Sequence, residues 1–191
     1  MTPQRIYLAG PEVFLKNAKG IGEKKKVLCS KYGFEGVYPI DVEVKAEGRS
    51  PREVGLCISE VNEDLIRGCQ VVVANLTPFR GPSADGGTVF EVGFAHALGK
   101  RVLAYSNVAE SFTDRTVKAL SGKVTRGNDG LLRDELGMFV EENGFVDNLM
   151  IDGCLDANSG VLVVGRAPAG ELFSWLGGFE KCLQAVKAKV F

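Results

Sequence analysis

The chain is poor in the residues that build many catalytic centres. It has one histidine, His96, which excludes histidine pairs and multi-histidine metal sites and leaves any zinc site to cysteines or carboxylates. Its five cysteines, Cys29, Cys57, Cys69, Cys154 and Cys182, are odd in number, scattered and without a C-x-x-C pair, so they read as reduced thiols in a cytoplasmic protein. Neither sign of charge is in excess: 23 basic against 24 acidic side chains give a net charge of −1, and no electrostatic case for nucleic acid. No apolar run is long enough to span a bilayer, and the N-terminus lacks the basic region and long apolar stretch of a signal peptide. Repeats and low-complexity tracts are missing as well, and the terminal Ala188-Lys189-Val190-Phe191 matches no targeting signal. What is present is a chain of 191 residues, 45% of them hydrophobic, enough for one domain over residues 1–191 with a sizeable core. With histidine so scarce, acid and base work falls mainly on carboxylates.

Ile6 to Ala9, stopped by Gly10-Pro11, and Val71 to Leu76, stopped by Pro78, have the continuous apolar character of buried parallel strands. Arg101 to Tyr105, Phe34 to Ile40 and Val161 to Val164 supply further strands. Helical patterns lie between them: Glu12 to Tyr32, Pro51 to Gly68 with proline in the first turn, Thr88 to Leu98 closed by Gly99, and Gly170 to Lys189. This alternation predicts a doubly wound, flavodoxin-like parallel sheet with helices on both faces, binding its ligand at the carboxyl ends of the strands. Residues Asn107 to Asn148 are polar and glycine-containing and read as an insertion or lid, with a short helix expected over Asp134 to Asn143. The run Lys24-Lys25-Lys26 reads as a solvated helix face.

The loop after Val71 to Leu76 runs Thr77-Pro78-Phe79-Arg80-Gly81-Pro82-Ser83-Ala84-Asp85-Gly86-Gly87 into Thr88-Val89-Phe90-Glu91. Gly86 and Gly87 would permit positive φ and close approach of a ligand, and Asp85 and Glu91 bracket the turn with two carboxylates. Thr88-x-x-Glu91 is also a capping-box pattern, so Glu91 has a structural reading beside a catalytic one. His96 is five residues further along the same helix, about 140° round it, and points away from Glu91. On the preceding helix the apolar stripe is Val54, Ile58, Val61 and Leu65, with Asn62 and Asp64 on its opposite edges, so the two cannot reach a cleft equally.

Ile6-Tyr7-Leu8-Ala9-Gly10-Pro11, Val71 to Leu76 and Asp85-Gly86-Gly87-Thr88-Val89-Phe90-Glu91-Val92-Gly93-Phe94-Ala95 together resemble the nucleoside 2-deoxyribosyltransferases, over about residues 5 to 105. The resemblance implies that Glu91, in E-x-G-x-A, is the nucleophile, that Asp85 lies in the sugar pocket, and that Tyr7 holds the nucleophile. Asn62 stands where the family often has an aspartate near the base; it can bind a base but cannot protonate it, leaving Asp64, Asp85, Glu91 or water as proton sources. Gly10, Gly86 and Gly87 join the candidate binding residues, and Phe14 would stack on the base. Asn148-Leu149-Met150 is similar to a family segment donated across a subunit interface to the sugar, which would make Asn148 and Met150 binding residues of a homo-oligomer with shared sites. The implied reaction is exchange of deoxyribose between a deoxynucleoside and a free nucleobase in nucleoside salvage, through a covalent glycosyl-enzyme, with no metal or cofactor.

Three rivals remain open on the sequence. An N-glycoside hydrolase of nucleoside 5′-monophosphates would need a phosphate cradle, and Glu12 in the Gly10-Pro11-Glu12 turn would repel phosphate. Gly86-Gly87-Thr88-x-x-Glu91 matches only part of the P-G-G-x-G-T-x-x-E motif of cytokinin-activating phosphoribohydrolases. A silent nucleotide-sensing module would use Glu91 only as a cap.

Overall fold

A computed structural model describes residues 2–157 and 160–188. Strands β1 (Gln4–Ala9), β2 (Phe34–Val37), β3 (Val71–Asn75), β4 (Arg101–Ser106) and β7 (Val161–Val164) form one sheet in the order β2-β1-β3-β4-β7. Every pairing in it is parallel, with Tyr7 beside Val72 and Val72 beside Val102. This is the expected flavodoxin-like order, with its switch point between β1 and β3.

Side chains alternate cleanly across the sheet because successive Cβ atoms point to opposite faces. Ile6, Leu8, Val71, Val73, Leu103 and Tyr105 enter one core with Phe179, Leu183 and Val186 of α6 (Gly177–Ala188) and Cys29 of α1 (Ala18–Lys31). Tyr7, Ala9, Val72, Ala74, Val102 and Ala104 enter the other. There they meet α2 (Pro51–Arg67), α3 (Gly86–Ala97) and α5 (Leu149–Ala157) through Ile66, Val92, Ala95, Ile151 and Leu155. The parity of β1 thus aims Tyr7 at α3.

Several expectations are corrected. The helix expected over Glu12 to Tyr32 is split: Pro11–Phe14 is a 3-10 turn, Leu15 is extended, and α1 starts at Ala18. The split turns Glu12 inward, where it is fully buried, and Phe14 outward. The lysine run is not a uniformly solvated face, since Lys25 is also fully buried and pairs with Glu12 at 2.6 Å. Tyr105 Oη and Asn75 Nδ2 donate to the same Glu12 oxygen at 2.8 and 2.9 Å, so the buried carboxylate is matched by a cation and two donors. Gly10 admits this arrangement: a Cβ there would lie 2.0 Å from Glu12 Oε2.

Residues 107–148 hold more structure than expected, with α4 (Phe112–Ala119) capped by Ser111 and a hairpin of β5 (Val124–Arg126) and β6 (Leu132–Asp134). The helix expected over Asp134 to Asn143 is not there. Asp134 Oδ1 accepts the N–H groups of Leu136 and Met138, and Gly137 takes φ 79, which makes a turn instead. The closing helix starts at Gly177, and the expected end at Lys189 lies outside the described residues. Among the described residues no helix is long and apolar enough to cross a membrane.

Candidate active site

The loop from β3 delivers α3 to the carboxyl edge of the sheet. Asp85, not Thr88, is the N-cap of α3, and its Oδ2 accepts the Thr88 N–H at 2.9 Å and the Thr88 hydroxyl at 3.1 Å. This overturns the capping-box reading of Thr88-x-x-Glu91: Glu91 sits in the second turn and caps nothing. Gly86 and Gly87 are helical and do not take positive φ, contrary to expectation.

Relieved of capping, Glu91 faces β1. Tyr7 Oη donates to Glu91 Oε1 at 2.5 Å, while Oε2 has no hydrogen-bond partner among the described residues. Burial pushes the Glu91 carboxyl up to about 7; the Tyr7 hydrogen bond pulls it down and the nearby Asp85 charge pushes it further up. The Tyr7 phenol is held far above its ordinary range, first by burial and then by the Glu91 charge, so it stays a donor.

Glu91 opens on a cavity of about 210 Å³. Val13, Phe14, Pro39, Ile40 and Ile58 make an apolar wall, and Asn62, Asp85, Thr88 and Glu91 a polar one, with Gly10 and Gly87 between. A second cavity of about 230 Å³, reaching Ser59, Glu63 and Phe90, shares Ile58, Asn62, Gly87 and Glu91 with the first. Glu91 and Asn62 therefore stand at the waist of a two-lobed cleft. Two carboxylates and no lysine or arginine line the first lobe, a poor setting for a phosphate. The argument that Glu12 repels phosphate falls, because that carboxylate is buried and paired.

The expected site residues separate accordingly. Tyr7, Asp85, Glu91, Asn62, Gly10, Phe14 and Gly87 converge, Tyr7 through its bond to Glu91 and the others in the cavity wall. Gly86 is adjacent in sequence but lines neither lobe, and a Cβ on it would meet nothing within 4 Å. Asp64 points to solvent and pairs with Arg67 at 2.8 Å, so of the two stripe-edge residues only Asn62 reaches the cleft. Asn148 accepts the Met150 N–H and donates to Glu141 Oε1 at 2.5 Å. Met150 lines a separate apolar groove between α3 and α5 with Val92, His96 and Cys154, so neither residue lines the Glu91 cavity of its own chain. His96 is turned from Glu91 as its spacing requires.

Sequence reasoning missed Ile58, which the apolar stripe assigned to the core; it is 45% exposed and forms cavity wall, because Ile66 is the fully buried anchor of α2. It also missed Phe79, which stacks on Phe14 at 5.3 Å. Aromatic residues flanking the turn after β1 and the loop after β3 were the available signal.

The parallel sheet thus carries a tyrosine-held carboxylate near its switch point. The sequence pattern of the nucleoside 2-deoxyribosyltransferases matches residues 6–150, and the chain belongs to that family. An uncharacterised protein of Schizosaccharomyces pombe is 30% identical to it, the match covering 83% of this chain and 80% of that protein. The solved 2-deoxyribosyltransferase of Leishmania mexicana superposes with a TM-score of 0.65 at 25% identity, covering 99% of this chain and all of its own. A conserved protein of Enterococcus faecalis shares the fold, with a TM-score of 0.54 at 19% identity over 96% of this chain and 99% of its own.

Proposed function

We propose that the chain exchanges the nucleobase of a 2′-deoxynucleoside by double displacement at Glu91. The observation that carries this reading is the single Tyr7 bond to Glu91 Oε1, which orients the carboxylate and leaves Oε2 to attack. Oε2 forms a bond to the anomeric carbon as the C–N bond breaks and its electron pair leaves on the base; a second base then attacks that carbon, displaces Glu91 and restores the configuration. Asp85 Oδ1 has no partner among the described residues and is supplied to a sugar hydroxyl. Asn62 and Phe14 take the base; with Asp64 turned outward, Asp85 engaged with the sugar and Glu91 with the anomeric carbon, the base's proton comes from water.

Both lobes of the cleft are lined from residues 10–91. Exclusion of water therefore falls to a second copy, whose 107–148 region and Asn148-Leu149-Met150 segment close the site; the exposure of Leu149 and Met150 supports this homo-oligomeric reading. Cytoplasmic nucleoside salvage is the setting that fits. Hydrolysis of nucleoside 5′-monophosphates is the second reading: two carboxylates line the first lobe, and the cation beside it, Arg80, lies on Phe14 and outside the lining of either lobe.

Incubation with a deoxynucleoside and a different free base tests the proposal, with deoxynucleoside monophosphates as a second substrate set. Glu91→Ala should fold and lose exchange, and a 2′-fluoro-2′-deoxynucleoside should leave a sugar mass on the Glu91 peptide. Undiminished turnover by Glu91→Ala would refute the assignment.

A further inference from the structure

Beside the carboxylates, a buried amide acceptor in the cleft wall and an exposed guanidinium stacked on the wall's Phe14 have no hydrogen-bond partner among the described residues. Asn62 Oδ1 is buried in the wall without a hydrogen-bond partner. Arg80 has no hydrogen bond or ion pair among the described residues, yet its guanidinium is held 4.6 Å from the Phe79 ring centre and 5.4 Å from that of Phe14, the side chain lining the first lobe. Its backbone takes φ 56, an unusual conformation for a long side chain. The surrounding loop enforces it: the Phe79 N–H donates to the Ser83 carbonyl at 2.9 Å, and Asp147 accepts the Ser83 hydroxyl at 2.5 Å and the Ala84 N–H at 2.8 Å. A residue held in this backbone region, with its side chain laid on an aromatic of the cleft wall, points to a role at the cleft.

We propose that Arg80, with Asn62, reads the lactam edge of the nucleobase, an N–H donor beside a carbonyl acceptor, as in hypoxanthine, guanine, thymine and uracil. This rests on the base-exchange reading above and names its substrate class. The amidine edge of adenine and cytosine presents the opposite polarity. The Asn62 amide can turn to suit either edge; the guanidinium has only donors, so placed against the exocyclic position it matches a carbonyl oxygen and opposes an amino group, and Arg80 sets the choice. It also fits the lack of a carboxylic acid at the base: as the C–N bond breaks, the electron pair spreads onto the carbonyl oxygen, where a guanidinium stabilises it until water supplies the proton.

The experiment compares kcat/KM for deoxyinosine against deoxyadenosine, and for deoxyuridine against deoxycytidine, in the parent chain, Arg80→Met and Arg80→Lys. The parent should favour the lactam member of each pair by about tenfold or more. Arg80→Met keeps the stem on Phe14 and Phe79 but loses the donors; its preference should fall to about threefold or less through slower lactam turnover, with Arg80→Lys between. Equal parent rates, or a preference unchanged in Arg80→Met, would overturn the proposal while leaving base exchange intact. So would a loss in Arg80→Met confined to nucleoside 5′-monophosphates, which would place Arg80 on phosphate. No turnover of any of the four nucleosides by the parent would overturn base exchange and this proposal together. Should Arg80→Met fail to fold, the parent ratios and Arg80→Lys decide alone.

Discussion

Glu91→Gln should make the protein more stable as the pH rises, relative to its parent, while removing its activity. The Glu91 carboxyl is moved from its usual 4.5 to about 7, chiefly by burial. Below pH 4 it is protonated in folded and unfolded chains alike and the shift costs nothing. Above that it ionises first in the unfolded chain, so stability is lost progressively until pH passes the folded value. Linkage puts the cost at about 1 kcal/mol at pH 5.5 and about 3 kcal/mol above pH 8, figures that solvent in the cleft reduces. Glutamine has the same shape, accepts the same Tyr7 hydrogen bond and never ionises. For a chain of this size the extra 2 kcal/mol or so corresponds to about 5 °C in Tm. Thermal unfolding of both proteins at pH 5.5 and pH 8.5 reads this directly. A Glu91→Gln advantage that does not grow between those pH values would refute the raised carboxyl and the burial argument behind it.

The same titration should appear with opposite sense in turnover: kcat/KM of the parent rises with pH through about 7 as the nucleophile ionises. Tyr7→Phe removes the bond that pulls this carboxyl down, so the limb should move to higher pH, measurable in the pH profile of base exchange. Asp85→Asn keeps a capping acceptor but removes a neighbouring charge, and should move the limb the other way. Asp85→Ala loses the cap itself and should cost about 1 kcal/mol in urea unfolding, whereas Thr88→Ala, which retains the capped N–H, should cost less. Lys25→Met strands a buried carboxylate and should cost about 3–5 kcal/mol by the same assay, much of it recovered when Glu12→Gln is added.

The strands and the flavodoxin-like class were legible because apolar runs, their stops at Gly10-Pro11 and Pro78, and the alternation of strand with helix are all signals in the sequence. The face of β1 that carries Tyr7 was not, because Ile6 to Ala9 is apolar throughout and shows no alternation; the family resemblance alone singled out Tyr7. The start of α3 was not: Asp85 and Thr88 are both good caps three residues apart, and only the folded loop decides between them. The consequence was large, since the capping role attributed to Glu91 disappears with that shift. Lys25 was hidden for a different reason. Its flanking lysines describe a wet surface, and its partner Glu12 reaches it only because Leu15 breaks the expected helix. Arg80 and Phe79 sit in an irregular loop with no periodicity, where sequence gives turn positions but not side-chain contacts. Residues 107–148 were illegible in detail because α4 and the hairpin are short, and Arg115 holds the region through the carbonyls of Pro82 and Val146, contacts distant in the chain.

Tyr7 and Glu91 are 84 residues apart, and the bond between them closes a chain loop that includes β2, α2 and β3. Closing so long a loop is entropically costly until the intervening elements are in place. Glu91 is therefore oriented only after the central strands have docked, and a partly folded chain carries a loose, solvated carboxylate in its place. Recovery of exchange activity during refolding should lag the appearance of helical structure, making catalysis a clock for the last long-range step of assembly.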